Sequence, residues 1–131
     1  MGGSDQDRTL GERLREARVA KDLTLRELAK RLGRAPSYIN DIEYDRRVPS
    51  EMVLRDICQV LELDFDAMLA AAGRLGEEAE RFLKREPVAG VLFRRVQAEG
   101  FRERELRALL GEVDRLAQEK RSETPREEGQ P

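Results

Sequence analysis

Thr9 is followed three residues later by Glu12, and Thr24 by Glu27, and this repeated spacing dictates where two helices begin. In each pair the hydroxyl accepts from a backbone amide of the first turn while the carboxylate reaches back to the threonine amide. Donors that a helix start leaves without partners are thereby satisfied reciprocally. The first helix is confined to about 10–20, with Leu10, Leu14 and Ala17 inward. The second runs from about 25 to 32 and stops at Gly33, the residue best suited to the left-handed conformation that closes a helix. Its inner face holds Leu25 or Leu28, Ala29 and Leu32. Pro36 fits the first turn of a third helix, where its missing amide costs nothing, and Ile39 and Ile42 give that helix an inner face before it ends near Tyr44. Ser50 caps a fourth helix over 51–61, and Asp64 caps a fifth with Phe65, Met68 and Leu69 inside and Gly73 as its stop.

Three further helices follow, over Glu77 to Arg85, Pro87 to Ala98 and Arg102 to about Arg121. In the last, Leu106, Leu109, Val113 and Leu116 recur at spacings of 3, 4 and 3, the narrow seam of a helix–helix contact. The β-branched Val88, Val91 and Val96 leave a strand open for their segment, but Pro87 and Gly100 punctuate it as a helix. Leucines otherwise recur at spacings of three and four, strand-type alternation is absent, and no internal repeat is found. The expected class is all-α: a five-helix domain over 8–76, then a helical extension over 77–121. The Gly, Ser and Asp-rich residues 1–7 and the polar tail 122–131, SETPREEGQP, are expected to be disordered.

The composition removes most chemistry. With no His and a single Cys, histidine zinc sites, histidine acid–base catalysis and an intrachain disulfide are excluded, so neither a cofactor nor an enzyme is expected. Cys58, beside Ile57 and Val60, is expected in the core. Asp64 and Asp66 resemble a carboxylate pair, but helix capping accounts for both. The start MGGSDQDR has no apolar core of a signal peptide, and no stretch approaches the roughly 18 apolar residues of a membrane helix, so a soluble, cytoplasmic chain without a membrane partner is expected. The 25 Lys and Arg nearly cancel the 27 Asp and Glu, yet their distribution is uneven. Between Arg8 and Arg47 eleven bases face seven acids; from Val48 to Gly76 two bases face five acids. One half of the domain is therefore basic, the polarity expected of a face that meets phosphates. Helices two and three, short, separated by a tight turn at Gly33 and crossing at the small Ala29, have the dimensions of a helix-turn-helix whose second helix can enter a DNA major groove about 12 Å wide.

The run from Leu10 to Arg74 carries the patterns LxxRELAxxxG, PSYIxxIE, RxPS and LxxIxxxLxLD. It resembles the Cro/C1-type (Xre family) helix-turn-helix of phage repressors, bacterial regulators and many antitoxins. The resemblance covers about residues 9–74 and implies a five-helix lambda-repressor-like domain. It implies that Pro36, Ser37, Tyr38 and Asp41 read bases, that Arg46 and Arg47 lie near the phosphate backbone, and that Arg18 and Glu43 form an internal salt bridge; Arg34 and Asn40 are further phosphate candidates. Four positions depart from the family pattern: Leu25 stands where Gln is frequent, Arg34 where a small apolar residue precedes the recognition helix, Ala35 where Ser or Thr caps it, and Asp45 where Gly ends it. The partner so implied is double-stranded DNA, bound by a homodimer that reads an inverted repeat, with a regulatory protein as a further partner. Val91, Leu92, Leu106, Leu109, Val113 and Leu116 are the dimerisation candidates in the extension, whose alternative is to cover its own domain. The function expected is that of a repressor. An antitoxin that regulates its own operon, and a helical adaptor that has lost DNA binding, remain open beside it.

Overall fold

Both Thr-x-x-Glu pairs close as capping boxes. The Glu12 amide donates to Thr9 Oγ1 at 3.1 Å while the Thr9 amide donates to Glu12 Oε1 at 3.1 Å; in the second pair the distances are 3.1 and 2.8 Å. They open α1 (Leu10–Ala20) and α2 (Leu25–Leu32). Gly33, at φ 65°, ends α2 in the left-handed conformation that a side chain would disfavour. The chain then enters α3 (Pro36–Glu43), α4 (Glu51–Leu61), α5 (Phe65–Ala71), α6 (Glu77–Arg85), α7 (Pro87–Ala98) and α8 (Glu103–Glu123). This computed structural model describes residues 8–123; the segments 1–7 and 124–131 lie outside the described residues. All regular structure among the described residues is helical, including the valine-rich 87–98 segment. The last helix runs through Ser122 and Glu123, two residues into the stretch expected to be disordered, because SETPREEGQP keeps helix-compatible residues until Pro125 approaches.

Two compact units make up the chain, the first extending to Phe82 and the second beginning at Leu83. In the first, α3 packs on α2 and α1, and α4 packs on α5, α2 and α1. Leu14, Leu28, Ala29, Ile39, Ile42, Leu54 and Ile57 are each no more than 1% exposed. Cys58 is buried with them, and burial, with the nearby Asp64 carboxylate adding to it, pushes its thiol from 9.0 up to about 11. Leu25, for which either core or surface was open, packs at the margin of this core while Leu28 fills its centre.

The start of α1 meets the end of α3 almost backbone to backbone. A Cβ on Gly11 would stand 2.4 Å from the Glu43 carbonyl oxygen and 2.6 Å from that of Ile42, so only glycine fits. Asp45 closes the same junction. At φ 59° it takes the left-handed conformation, where the resemblance leads to the expectation of glycine, and its carboxylate accepts from the Gly11 amide at 3.0 Å and from the Thr9 hydroxyl. The replacement for glycine thus caps the neighbouring helix.

The first unit continues into α6. Glu51, at the start of α4, accepts from the Glu77 amide at 2.9 Å and from Arg55 at 3.3 Å, and Arg74 donates to the Pro49 carbonyl at 2.7 Å. In the second unit α7 and α8 contain no buried residue.

Candidate nucleic-acid interface

The helix that would enter a groove is held from behind by one ion pair. Arg18 on α1 donates from Nε to Glu43 Oε2 at 2.7 Å and from Nη2 to Oε1 at 3.1 Å, and its third nitrogen donates to the Leu23 carbonyl at 2.7 Å. The Glu43 side chain is 2% exposed and that of Arg18 12%. This two-pronged pairing leaves neither charge without a partner, and it ties α3 to α1 and to the turn before α2. With Ile39 and Ile42 also buried, one side of α3 is committed to the core.

The other side carries the reading candidates. Pro36 and Ser37, in the first turn, are exposed. The helix starts at Ala35 without a side-chain cap and with Pro36 in its first turn, which leaves Ser37 unobstructed. Asn40 and Asp41 are half-buried. The Asp41 carboxylate accepts from Arg46 Nη1 at 3.2 Å, so its negative charge on this face is partly neutralised by an arginine six positions from the helix middle. Tyr38 is half-buried and packs against the core margin, where sequence reasoning placed it outward.

Arg34, Arg46 and Arg47 are all exposed and flank α3 from its two ends. The guanidinium of Arg34 stands 5.6 Å from the Tyr38 ring centre and that of Arg47 5.2 Å from the same centre. Arg46 stands 5.2 Å from the ring of Tyr44. The structure therefore sets the three arginines expected to meet phosphates beside the rings of Tyr38 and Tyr44. Sequence reasoning missed Tyr44 as part of this arrangement; its signal was that the only other tyrosine of the chain lies two residues from Arg46.

Among the described residues no group of three His, Cys, Asp or Glu side chains could hold a metal ion. No helix of the described residues is long and apolar enough to cross a membrane. The candidates in the second unit are separate from this face in sequence. Val91, Leu92, Leu106, Val113 and Leu116 are between 42% and 57% exposed, while Leu109 is half-buried.

A helix-turn-helix domain family matches residues 9–72. The transcriptional regulator ClgR of Mycobacterium tuberculosis is 33% identical over 78 residues, covering 60% of this chain and 70% of that protein. The ImmF control region 10 kDa protein of Bacillus phage phi105 is 33% identical over 69 residues, covering 53% of this chain and 77% of that protein. Among solved structures, the N-terminal DNA-binding domain of SinR from Bacillus subtilis is 33% identical, covers 46% of this chain and 88% of that domain, and superposes with a TM-score of 0.43. The chain belongs to the Cro/C1-type (Xre) family of helix-turn-helix transcriptional regulators.

Proposed function

We propose that the chain is a cytoplasmic, non-enzymatic repressor that binds inverted-repeat operator DNA as a homodimer. The observation that carries the DNA reading is the face of α3: exposed Pro36 and Ser37 at its start, with Arg34, Arg46 and Arg47 grouped around it. In this reading Ser37 meets a base edge and the arginines meet the backbone on either side, a division in which phosphate contacts set register and base contacts set sequence. Family membership supports the same assignment. Operator occupancy would then block transcription by occlusion.

One such module buries roughly 600–1,000 Å² on DNA, below the 1,000–2,500 Å² of most specific complexes, so a second copy is needed for tight recognition. The second unit supplies the apolar surface for it. Leu106, Val113 and Leu116 repeat along α8 with their side chains in water, and Val91 and Leu92 do so on α7. Dimers of this type read half-sites about one helical turn, roughly 34 Å, apart.

Selection from random duplex DNA, followed by salt titration on the winning sequence, tests the proposal. An inverted repeat should emerge, with log affinity falling linearly against log salt. Enrichment of nothing would overturn DNA recognition, and enrichment of a single half-site without symmetry would overturn the dimer.

A further inference from the structure

We propose that Tyr38 and Tyr44 are positioning residues for DNA binding: their rings hold Arg34, Arg47 and Arg46 extended toward the phosphate backbone before DNA arrives. This rests on the DNA-binding role proposed above and changes the part assigned to Tyr38, which acts through two arginines instead of touching a base itself.

The placement of Tyr38 is the first support. Tyr38 is half-buried and packs against the core, so the fold holds its ring from below. Its remaining surface is shared by guanidiniums from opposite ends of α3, Arg34 from the turn before it and Arg47 from the loop after it. Concentration is the second support. Three guanidinium–ring contacts fall between Arg34 and Arg47, and they use both tyrosines of the chain and all three flanking arginines. Arg46 is held from a second direction by the Asp41 carboxylate at 3.2 Å.

The physical consequence is pre-ordering. A free arginine has many rotamers and loses most of them when it binds a phosphate, which weakens binding by roughly two- to twelvefold per side chain. A guanidinium already lying on a fixed ring has lost them in the free protein, while its N–H edges stay available to phosphate oxygens because the ring engages only its plane. Lysine has no plane to stack, so it cannot substitute here. Two like charges held near one ring also repel each other, and an incoming phosphate relieves that repulsion.

The test measures affinity of the full chain for its selected operator and for a scrambled duplex, together with proton shifts of the arginine δ-methylenes in the free protein. Tyr38→Phe keeps the ring and should match wild type in all three. Tyr38→Leu should weaken operator and scrambled duplex alike, by about tenfold, and should move the Arg34 and Arg47 shifts downfield as the ring current disappears. Arg47→Lys, at an exposed position where folding is not at stake, should weaken both duplexes in the same way although charge is kept. Tyr44→Leu should do so for Arg46 alone, about twofold. Loss of operator affinity with scrambled affinity intact would make Tyr38 a base reader and overturn the inference. Unchanged affinities, tighter binding, or unmoved arginine shifts would overturn it too. If wild type binds no duplex, the proposed function falls and this role with it; if wild type binds and only the tyrosine variants fail to respond, the inference falls alone.

Discussion

The two units use the same local helix signals and reach opposite ends. In the first, Leu14, Leu28, Ile39 and Ile57 are 1% exposed and Leu54 is fully buried; in the second, Val88 is 77%, Leu110 62% and Val113 57% exposed. Proline in a first turn opens both α3 and α7, and glycine at positive φ follows both α2 and α7. Local punctuation therefore specifies helices equally well in both. What differs is whether apolar faces find each other within one copy: α1 to α5 bury theirs mutually, whereas α7 and α8 display theirs. The first unit buries its apolar residues within its own chain, and the second leaves large apolar side chains exposed.

If that contrast is right, the largest effects on stability come from the first unit's interior. Arg18→Met removes the partner of a Glu43 carboxylate whose side chain is 2% exposed. Stranding a buried charge should destabilise the unit by about 3–5 kcal/mol in urea unfolding. Tyrosine fluorescence reports this unit alone, because both tyrosines lie within it. A loss below about 1 kcal/mol, the range of exposed ion pairs, would mean that the pair is wet and that the interior is less closed than its burial indicates. Gly11→Ala comes next. Its new methyl would meet two backbone oxygens of α3, neither of which can rotate away. A cost of about 1–3 kcal/mol is expected as α1 and α3 are forced apart, and an unchanged melting temperature would show that the junction yields.

The contrast predicts the reverse for the second unit. Leu116→Asp, at a side chain 52% exposed, should leave the first unit's unfolding within about 0.5 kcal/mol of wild type. It should instead convert a sedimenting dimer to a monomer and abolish preference for the two-fold operator over a half-site. A monomeric wild type would remove the dimer, and a large loss of stability in the first unit would remove the division of labour.

How much of this was legible in the sequence follows from the range of each interaction. The capping boxes, the Gly33 stop and Pro36 are settled within four residues, so spacing alone located α1, α2 and α3. The α8 seam was equally visible, since periodicity records a helix face whether or not anything covers it. Arg18 and Glu43 were reached only through family resemblance; twenty-five residues separate them and no spacing rule joins them. The capping of α1 by Asp45 is a contact across thirty-four residues, and sequence showed only that glycine had been replaced. The face of α3 was legible, but its arginines were read as independent contacts. Their sharing of the Tyr38 ring depends on how the turn before α3 and the loop after it fold back, which is tertiary information.

The smallest expected effects sharpen the contrast at its edges through pH. Cys58 is buried in the first unit, and burial raises its thiol from 9.0 to about 11. A group raised on folding contributes stability that is fully present below its unfolded value and is lost as pH rises through the folded one. Unfolding free energy should therefore stay level up to about pH 9 and decline between 9 and 11, and alkylation of the thiol at pH 8 should track unfolding. Glu27 works in the opposite sense at the surface. Its carboxyl is lowered from 4.5, first by the Thr24 backbone amide and then by the Thr24 hydroxyl, so the capping box contributes stability above pH 4.5 that is lost as pH falls through the lower folded value. Thr24→Ala should weaken that acid-side dependence and leave the alkaline decline untouched, because the two arise from separate groups at opposite depths of the same unit. If Thr24→Ala altered the alkaline limb instead, Cys58 would be responding to the start of α2, and the interior would not be the independently closed core that sets this unit apart from α7 and α8.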